Sequence, residues 1–150
     1  MLIRIIARVV LYDQLNRRLL LVRNKGADYW YPPGGGWEPE KETITQCALR
    51  EVLEETGLAV VLKRLLYVQE FHAKEDTIFF EVFWLGIPEG QFGEYSNHRD
   101  VDPNGQVEEI KWFERGELAE MKVFPSRLKD TFWTNVDSFF TTEDPFLGVS

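Results

Sequence analysis

The sequence has little of what secreted and membrane-spanning proteins usually carry. Its single cysteine, Cys47, excludes an internal disulfide, and nothing else indicates an oxidising compartment. The apolar run at residues 1–10 is interrupted by Arg4 and Arg8 and is too short to span a bilayer, and no small-residue cleavage site follows it. We therefore expect a cytoplasmic protein without a membrane-spanning segment.

Positive charge is also scarce: 17 Lys and Arg stand against 25 Asp and Glu, which gives a net charge of −8. A long nucleic acid would be repelled by such a surface, so nucleic-acid binding is excluded as a main function. A small phosphorylated ligand remains acceptable where a bound metal ion reverses the local sign of charge. The 21 aromatic residues (11 Phe, 5 Trp and 5 Tyr) exceed what a small core needs, and a surplus ring could stack on a flat ligand.

The apolar pattern predicts one domain over residues 1–150, of mixed α and β structure, with a flexible tail from about residue 141. Segments rich in β-branched and aromatic residues predict strands at 2–12, 19–22, 60–71, 77–87 and 107–113. Helical spacing is found at 43–56, 118–121 and 126–140, the last with a stripe of Leu128, Phe132, Val136 and Phe139 or Phe140. Proline and glycine predict a loop over 24–39, and 88–105 reads as a long polar loop that could cover a site.

The first helix is the most informative segment. Thr43 and Gln46 have the spacing of a capping box, and Gly57 stands where a left-handed terminating residue is wanted. At 100° per residue, one face should pack on a sheet; its residues are Thr45, Ala48, Leu49, Val52 and Leu53. The other face carries the carboxylates of Glu51, Glu54 and Glu55, and also Cys47, which we expect to be a small packed residue rather than a metal ligand.

These carboxylates are badly placed for helix stability. Glu54 and Glu55 lie in the last turn, where the helix dipole favours a cation. Two carboxylates ~5 Å apart repel by about 3 kcal/mol at an effective dielectric constant of ~20. A hard divalent cation such as Mg²⁺ would offset this repulsion, since it prefers carboxylate oxygen and completes its shell with water and phosphate. The alternative is a solvated acidic helix end, with Arg50 four residues before Glu54 softening the repulsion.

The surrounding pattern resembles the Nudix box. It contains Gly36, five residues, Glu42, seven residues, Arg50-Glu51-Val52, one residue, Glu54-Glu55, one residue and Gly57-Leu58. The spacing holds when Gly36, rather than Gly35, is taken as the first glycine of the box. The resemblance implies an α+β fold, an α/β/α sandwich with a mixed β-sheet between helices. It also implies hydrolysis of a phosphoanhydride bond in a nucleoside diphosphate linked to another moiety, with Mg²⁺ or, as a substitute, Mn²⁺.

The resemblance implies a role for each matching residue. Glu51, Glu54 and Glu55 would bind metal, and one of them or a loop carboxylate would activate water. Arg50 would orient a box carboxylate, and Glu42 would support the loop electrostatically. Two further glycines complete this set: Gly36 would allow a tight turn, and a carbonyl near Gly35 would complete the metal shell. Paired subunits are common in the family, so a homodimer is a further expectation.

Residues outside the box are candidates with bland alternatives. Glu109, at the start of a strand, is a candidate metal ligand or base, against a solvated strand end. Glu81, in an aromatic strand, either faces solvent or enters a substrate cleft. Further candidate substrate-binding residues lie around the glycine-rich segment and in the long loop; they are Arg23, Trp30, Tyr31 and His98. For Trp30 and Tyr31, anchoring of the loop is the competing interpretation.

Two functions therefore remain open. The first is a pyrophosphohydrolase acting on a small nucleotide derivative. The second is a non-catalytic module on the same fold that binds a nucleotide or ADP-ribose, although such a module has no need for the mutually repelling carboxylates. Nothing in the flanking sequence selects the nucleotide derivative, the general base or the number of metal ions.

Overall fold

In the computed structural model, residues 1–89, 106–141 and 143–150 are described. Within these residues six strands form one sheet, and their bounds are β1 Leu2–Asp13, β2 Arg18–Asn24, β3 Gly34–Gly36, β4 Val60–Lys74, β5 Thr77–Pro88 and β6 Val107–Glu114. The helices are α1 Ile44–Thr56 and α2 Thr131–Asn135. Short 3-10 helices cover Arg115–Leu118, Ser126–Lys129 and Val136–Phe140.

The sheet is mixed, as the sequence predicts. Its order is β4-β5-β1-β2-β6, and β3 pairs with β1 outside this path. The β1–β5 pair is parallel, and the β1–β2, β1–β3, β2–β6 and β4–β5 pairs are antiparallel. The turn between β1 and β2 is fixed by the buried carboxylate of Asp13, which accepts hydrogen bonds from the backbone of Asn16 and the side chain of Arg18. This local chemistry is typical of a turn begun by aspartate.

The segment 31–36 lies in a gap between β1 and β2. These strands pair only at one end, through 11–13 and 18–20; elsewhere Val22 exchanges backbone hydrogen bonds with Tyr31, and Val9 donates to the carbonyl of Pro33. The prediction of an uninterrupted loop over 24–39 is therefore wrong, because 34–36 form a strand. Glycine makes this possible: a Cβ on Gly34 would lie 2.2 Å from the backbone oxygen of Ala7.

Alternate residues of β1 face two separate cores. Ala7, Val9 and Leu11 face the layer that contains α1, whereas Val10 and Tyr12 face the layer built by the C-terminal helices. This alternation is what a strand buried on both faces requires. The sheet thus lies between two helical layers, and the predicted α+β fold with a mixed sheet is confirmed.

Helix α1 has the predicted ends but not the predicted face. Thr43 accepts a hydrogen bond from Gln46 and returns one in a full capping box, and Gly57 ends the helix with a φ of 74°. The buried residues are Cys47, Ala48, Val52 and Thr56. Leu49 and Leu53, which were expected to pack on the sheet, are 38% and 53% exposed. The helix is turned so that its carboxylate side lies against β3, and small side chains occupy the close contact.

The C-terminal region is helical in pieces. Leu128, Phe132 and Val136 are fully buried on one stripe, as predicted, but the single helix expected over 126–140 is wrong because Asp130, with φ −140° and ψ −80°, breaks it. The helix expected at 118–121 is instead the 3-10 turn Arg115–Leu118.

The chain continues past these helices to the other side of the sheet. There the Asp144 carboxylate accepts from the backbone of Leu65, and the ring of Phe146 lies edge-on to Trp84. Of the long polar segment 88–105, residues 90–105 lie outside the described part of the chain. No helix among the described residues is long and apolar enough to cross a bilayer.

The rotation of α1 generates a test of stability. Val52→Ala removes two buried methyl groups and should lower the free energy of unfolding by about 2 kcal/mol. Leu53→Ala, at the next position on the exposed side, should change it by less than about 0.5 kcal/mol. Urea denaturation of both variants measures the difference. The opposite ranking would restore the leucine face as the packed one.

Candidate active site

Arg50 lies at the centre of an acidic cluster. Its Nε and Nη2 donate to the two carboxylate oxygens of Glu42, at 2.7 and 2.8 Å. Its Nη1 donates to Glu51 at 3.0 Å and to Glu54 at 3.3 Å. The hydrogen bonds from Arg50 lower the pKa of Glu42 to about 2, and the same contacts raise the pKa of Arg50. One guanidinium therefore compensates part of the charge of three carboxylates.

Glu51 is pressed against the backbone of Gly35. A Cβ on Gly35 would lie 2.3 Å from the carboxyl carbon of Glu51, so only glycine leaves room for this carboxylate. The Glu51 side chain is 16% exposed. Burial raises its pKa, and the charge of Arg50 opposes the shift. The negative charge of Glu51 is thus only partly compensated by the protein.

Glu55 and Cys47 fix the neighbouring backbone. A carboxylate oxygen of Glu55 accepts a hydrogen bond from the backbone N–H of Gly34, at 2.9 Å. The thiol of Cys47 lies 3.5 Å from the carbonyl oxygen of Gly36 and 3.8 Å from that of Gly35. Cys47 is fully buried, and burial raises the pKa of its thiol to about 12. It is the small packed residue that the sequence predicts.

Gly36 itself does not make the tight turn expected of it. It lies in β3, its φ is not positive, and a Cβ there would meet nothing within 4 Å. The close contacts belong instead to Gly34 and Gly35. Gly57, by contrast, has the left-handed backbone that its position predicts.

The donors in this cluster are of the type that a hard cation prefers, namely carboxylate and carbonyl oxygens. Glu51, at the cradle formed by Gly35, has the enclosed and incompletely compensated charge that such an ion would offset. Among residues 1–89, 106–141 and 143–150, however, no three His, Cys, Asp or Glu side chains converge closely enough to hold a metal ion. Arg50 and the N–H of Gly34 are the partners that the carboxylates have instead.

We call Gly34–Gly36 the glycine segment. A pocket of about 480 Å³ opens on the side of this segment that faces away from α1. Its wall is mostly aromatic, with one arginine, one glutamate and two amides; the lining residues are Arg8, Asn24, Tyr29, Tyr31, Gln69, Phe71, Glu81, Phe83, Phe124 and Pro125. Of the predicted substrate-binding residues, Tyr31 and Glu81 are thus brought together. Glu81 lies in the pocket wall rather than on a solvated face.

Arg8 connects the pocket to the glycine segment. It donates from Nε to Glu81 at 2.5 Å and from Nη1 to the carbonyl of Pro32 at 3.1 Å, and its guanidinium lies 4.8 Å from the centre of the Tyr31 ring. Burial raises the pKa of the Tyr31 hydroxyl, with Arg8 opposing the shift and Glu55 adding to it. Charges in the pocket and at the end of α1 therefore both affect the pKa of Tyr31, which indicates that the two sites adjoin.

Other predicted residues lie elsewhere. Arg23 and Glu109 face each other across β2 and β6 and form an ion pair of 2.6 Å. Trp30 packs its ring against Phe113 and bonds through its backbone to Lys122 and Phe124, which supports loop anchoring. Neither Arg23 nor Trp30 lines the pocket. His98 lies outside the described residues.

Sequence reasoning missed most of the pocket wall. The substrate-binding residues predicted from the sequence do not include Arg8, Asn24, Gln69, Phe71 or Phe124. The available signal was alternation: Phe79, Glu81 and Phe83 share one face of β5, and Phe71 and Gln69 share a face of β4. What the alternation does not reveal is that β5 pairs in parallel with β1, which sets Arg8 beside Phe83.

Comparison with known proteins identifies the family to which this arrangement belongs. A family model described as the NUDIX domain matches residues 2–132. The chain belongs to the Nudix family. Members of this family generally use a divalent metal ion and act on small nucleotide derivatives.

Curated relatives resemble part of the chain. Human "Nucleoside diphosphate-linked moiety X motif 6" is 41% identical over 63 residues, which cover 41% of this chain and 20% of that protein. "Dihydroneopterin triphosphate diphosphatase" of Escherichia coli is 37% identical over 76 residues, or 50% of this chain and 47% of that protein. The similarity thus spans a fifth to somewhat under half of the length of these relatives.

Solved structures match over nearly the whole chain. A NUDIX hydrolase from Nitrosomonas europaea has a TM-score of 0.67 and 19% identity, and the match covers 98% of this chain and 97% of that one. At this identity the likeness establishes the fold alone. It agrees with the mixed sheet between two layers described above.

The ion pair of Glu42 and Arg50 generates a pH-dependent prediction. Because folding lowers the pKa of Glu42 to about 2, its stabilisation is present above the unfolded pKa of ~4.3 and is lost as pH falls towards 2. Glu42→Gln should therefore reduce the free energy of unfolding by about 2 kcal/mol at pH 7, and by progressively less between pH 4.5 and pH 2.5. Urea titrations of both proteins across this range measure the gap. A gap that is the same at every pH would contradict the pair.

Replacement by alanine should affect stability differently at Gly34, Gly35 and Gly36. Gly34→Ala places a methyl group against backbone and should destabilise the fold by about 2 kcal/mol or more. Gly36→Ala meets open space and should change stability by less than about 0.5 kcal/mol. Gly35→Ala meets the movable carboxylate of Glu51, so the fold should survive with that side chain displaced. Urea denaturation ranks the variants, and a crystal structure of Gly35→Ala locates Glu51; equal stability of the first two would contradict the packing described.

Proposed function

We propose that this chain is a Mg²⁺-dependent hydrolase that cleaves a phosphoanhydride bond in a nucleoside diphosphate linked to another moiety. One observation carries the proposal: the glutamates of the Nudix box lie on one side of the glycine segment, and a pocket suited to an aromatic ring lies on the other. A substrate that joins a ring to a phosphate chain would extend from the pocket to the carboxylates.

The metal would be held by Glu51, Glu54 and Glu55, together with the carbonyl oxygen near Gly35. Fit to a hard cation is supported by the all-oxygen donor set and by the enclosed charge of Glu51. When bound, such an ion offsets the negative charge of the phosphoryl oxygens in the transition state. Glu109 is left out of this set, because it is paired with Arg23 across β2 and β6.

The chain's own residues have separate tasks in the reaction. A carboxylate of the box accepts a proton from the attacking water as its oxygen bonds to phosphorus. The bridging P–O bond then breaks, and its electron pair leaves with the departing phosphate. Arg50 holds Glu51 and Glu54 in place and is itself fixed by the two oxygens of Glu42. Glu55 fixes the N–H of Gly34 and with it the backbone between cluster and pocket.

Four further expectations belong to this proposal. Mn²⁺ would substitute for Mg²⁺, since both are divalent cations that accept oxygen ligands. A homodimer and a cytoplasmic location complete it. The substrate would be a small nucleotide derivative rather than a long nucleic acid, in keeping with the net charge of −8.

Replacement of the box glutamates tests the proposed roles. Glu54→Gln and Glu55→Gln should each lower kcat by at least about 100-fold, because each removes a charge that holds the metal or accepts a proton. Glu120→Gln, an exposed carboxylate far along the chain, is the matched control and should leave the rate unchanged. The assay is a product-resolved screen of nucleoside diphosphate derivatives with Mg²⁺, and with EDTA as the metal-free arm.

Two results would contradict the proposal. Near-normal turnover in both glutamine variants would remove the assigned roles. Tight binding of nucleotide or ADP-ribose without any product, at saturating Mg²⁺ or Mn²⁺, would show a non-catalytic binding module instead.

A further inference from the structure

The pocket beside the glycine segment is close to neutral in charge. Its charged members are Arg8 and Glu81, which pair with each other; the remaining wall is aromatic, amide or proline. Both side chains are largely buried, at 16% and 18% exposed. A ring with several phosphate groups attached directly to it would find no uncompensated cation in this pocket. A flat, uncharged ring would find aromatic faces on which to stack.

Arg8 offers few directed donors to a ligand. Its Nε is bonded to Glu81, its Nη1 is bonded to the carbonyl of Pro32, and its face covers the ring of Tyr31. Its main effect is to hold the carboxylate of Glu81 in one orientation. The pocket's two amides are less constrained, because the side chains of Asn24 and Gln69 each present both a donor and an acceptor.

Glu81 is therefore the polar group of the pocket whose hydrogen-bonding role is fixed, as an acceptor. A carboxylate only accepts hydrogen bonds and has about four lone-pair sites. Arg8 Nε takes one of them, at the Oε2 oxygen. Gln69 lies directly opposite Glu81 in the antiparallel β4–β5 register, so an adaptable amide stands beside the carboxylate.

From this geometry we infer that Glu81 is a specificity-determining residue that selects a heteroaromatic ring with two adjacent N–H donors on its edge. The inference rests on the proposed function and names its substrate class. A ring N–H beside an exocyclic amine is such an edge, as in guanine and in 2-amino-4-oxo pteridines. Both donors can meet the carboxylate, while the ring face lies among the aromatic side chains of the pocket.

Other bases present a poorer edge to Glu81. Adenine and cytosine place their amine beside a ring nitrogen acceptor, whose lone pair would face the carboxylate. Hypoxanthine keeps the ring N–H of guanine but lacks the amine, so it would lose one of the two hydrogen bonds. A site built to bond a donor discriminates against analogues that lack it, because its own polar group is then left unpaired.

Binding of nucleoside monophosphates to the intact chain tests the inference without any turnover. Isothermal titration with GMP, IMP and AMP, in EDTA, should give the tightest binding for GMP, by at least about tenfold over each of the others. The same order is expected in kcat/KM when the three bases are carried on one phosphate chain with Mg²⁺. Equal affinity for the three monophosphates would overturn the inference.

Variants separate recognition of the edge from support of the fold. Glu81→Gln should reduce the GMP-to-IMP affinity ratio to within about threefold of unity, because the amide offers one acceptor and one donor where the carboxylate offered two acceptors. The matched control is Glu70→Gln. Glu70 follows Gln69 in β4 and does not line the pocket, so this variant should keep the wild-type ratio. A ratio that persists in Glu81→Gln would overturn the role of Glu81. The ratio is measured within one variant, so a general loss of folded protein does not change it.

The two proposals can fail separately. A preference for GMP without hydrolysis of any nucleotide derivative would sink the proposed function and leave the ring selectivity standing. Hydrolysis with Mg²⁺ that is indifferent to the base would do the reverse.

Discussion

The close approach of the Gly34–Gly36 backbone to its neighbours on both sides is the constraint on which the rest of the structure depends. On one side this backbone pairs with β1, with no room for a side chain at Gly34. On the other, Gly35 leaves room for the carboxylate of Glu51, and the N–H of Gly34 is bonded to Glu55. If the segment moved outward by the width of a methyl group, the gap between β1 and β2 would not close. The acidic end of α1 would then lose its contact with the sheet.

This constraint explains which features of α1 could be predicted from the sequence. The ends of α1 depend on residues within a few positions of each other, Thr43 with Gln46 and Gly57 with the last turn. Both ends could therefore be predicted correctly from the local sequence. Its buried face depends on what lies opposite, and a periodicity argument assigns the largest apolar residues to it. Here a backbone strand lies opposite, so Cys47, Ala48 and the Glu51 carboxylate fit where Leu49 and Leu53 do not.

The pocket was less predictable than the acidic cluster for a related reason. Glu42, Arg50, Glu51, Glu54 and Glu55 all lie within one stretch of chain, and their spacing carries most of the information. Arg8 and Glu81 are 73 residues apart and meet through the parallel pairing of β1 with β5. Tyr31 and Glu81 could be proposed from their residue types. Their common partner Arg8 could not, because no local pattern distinguishes a paired arginine from a surface one.

The two halves of the candidate site differ in charge in a way that fits the proposed substrate, a ring joined to a phosphate chain. The pocket is balanced by its own ion pair, so it can accept an uncharged ring without any other component. The α1 end has three box glutamates and one arginine, and it repels a phosphate chain as it stands. A ring would therefore bind on the strength of the pocket alone, whereas the phosphates attached to it would settle beside α1 only with a cation present. Because 31–35 separate the halves by a few residues of fixed backbone, the ring's position in the pocket would, under the proposed function, set which phosphate reaches the carboxylates. The ring pocket would then determine the site of cleavage as well as the choice of substrate.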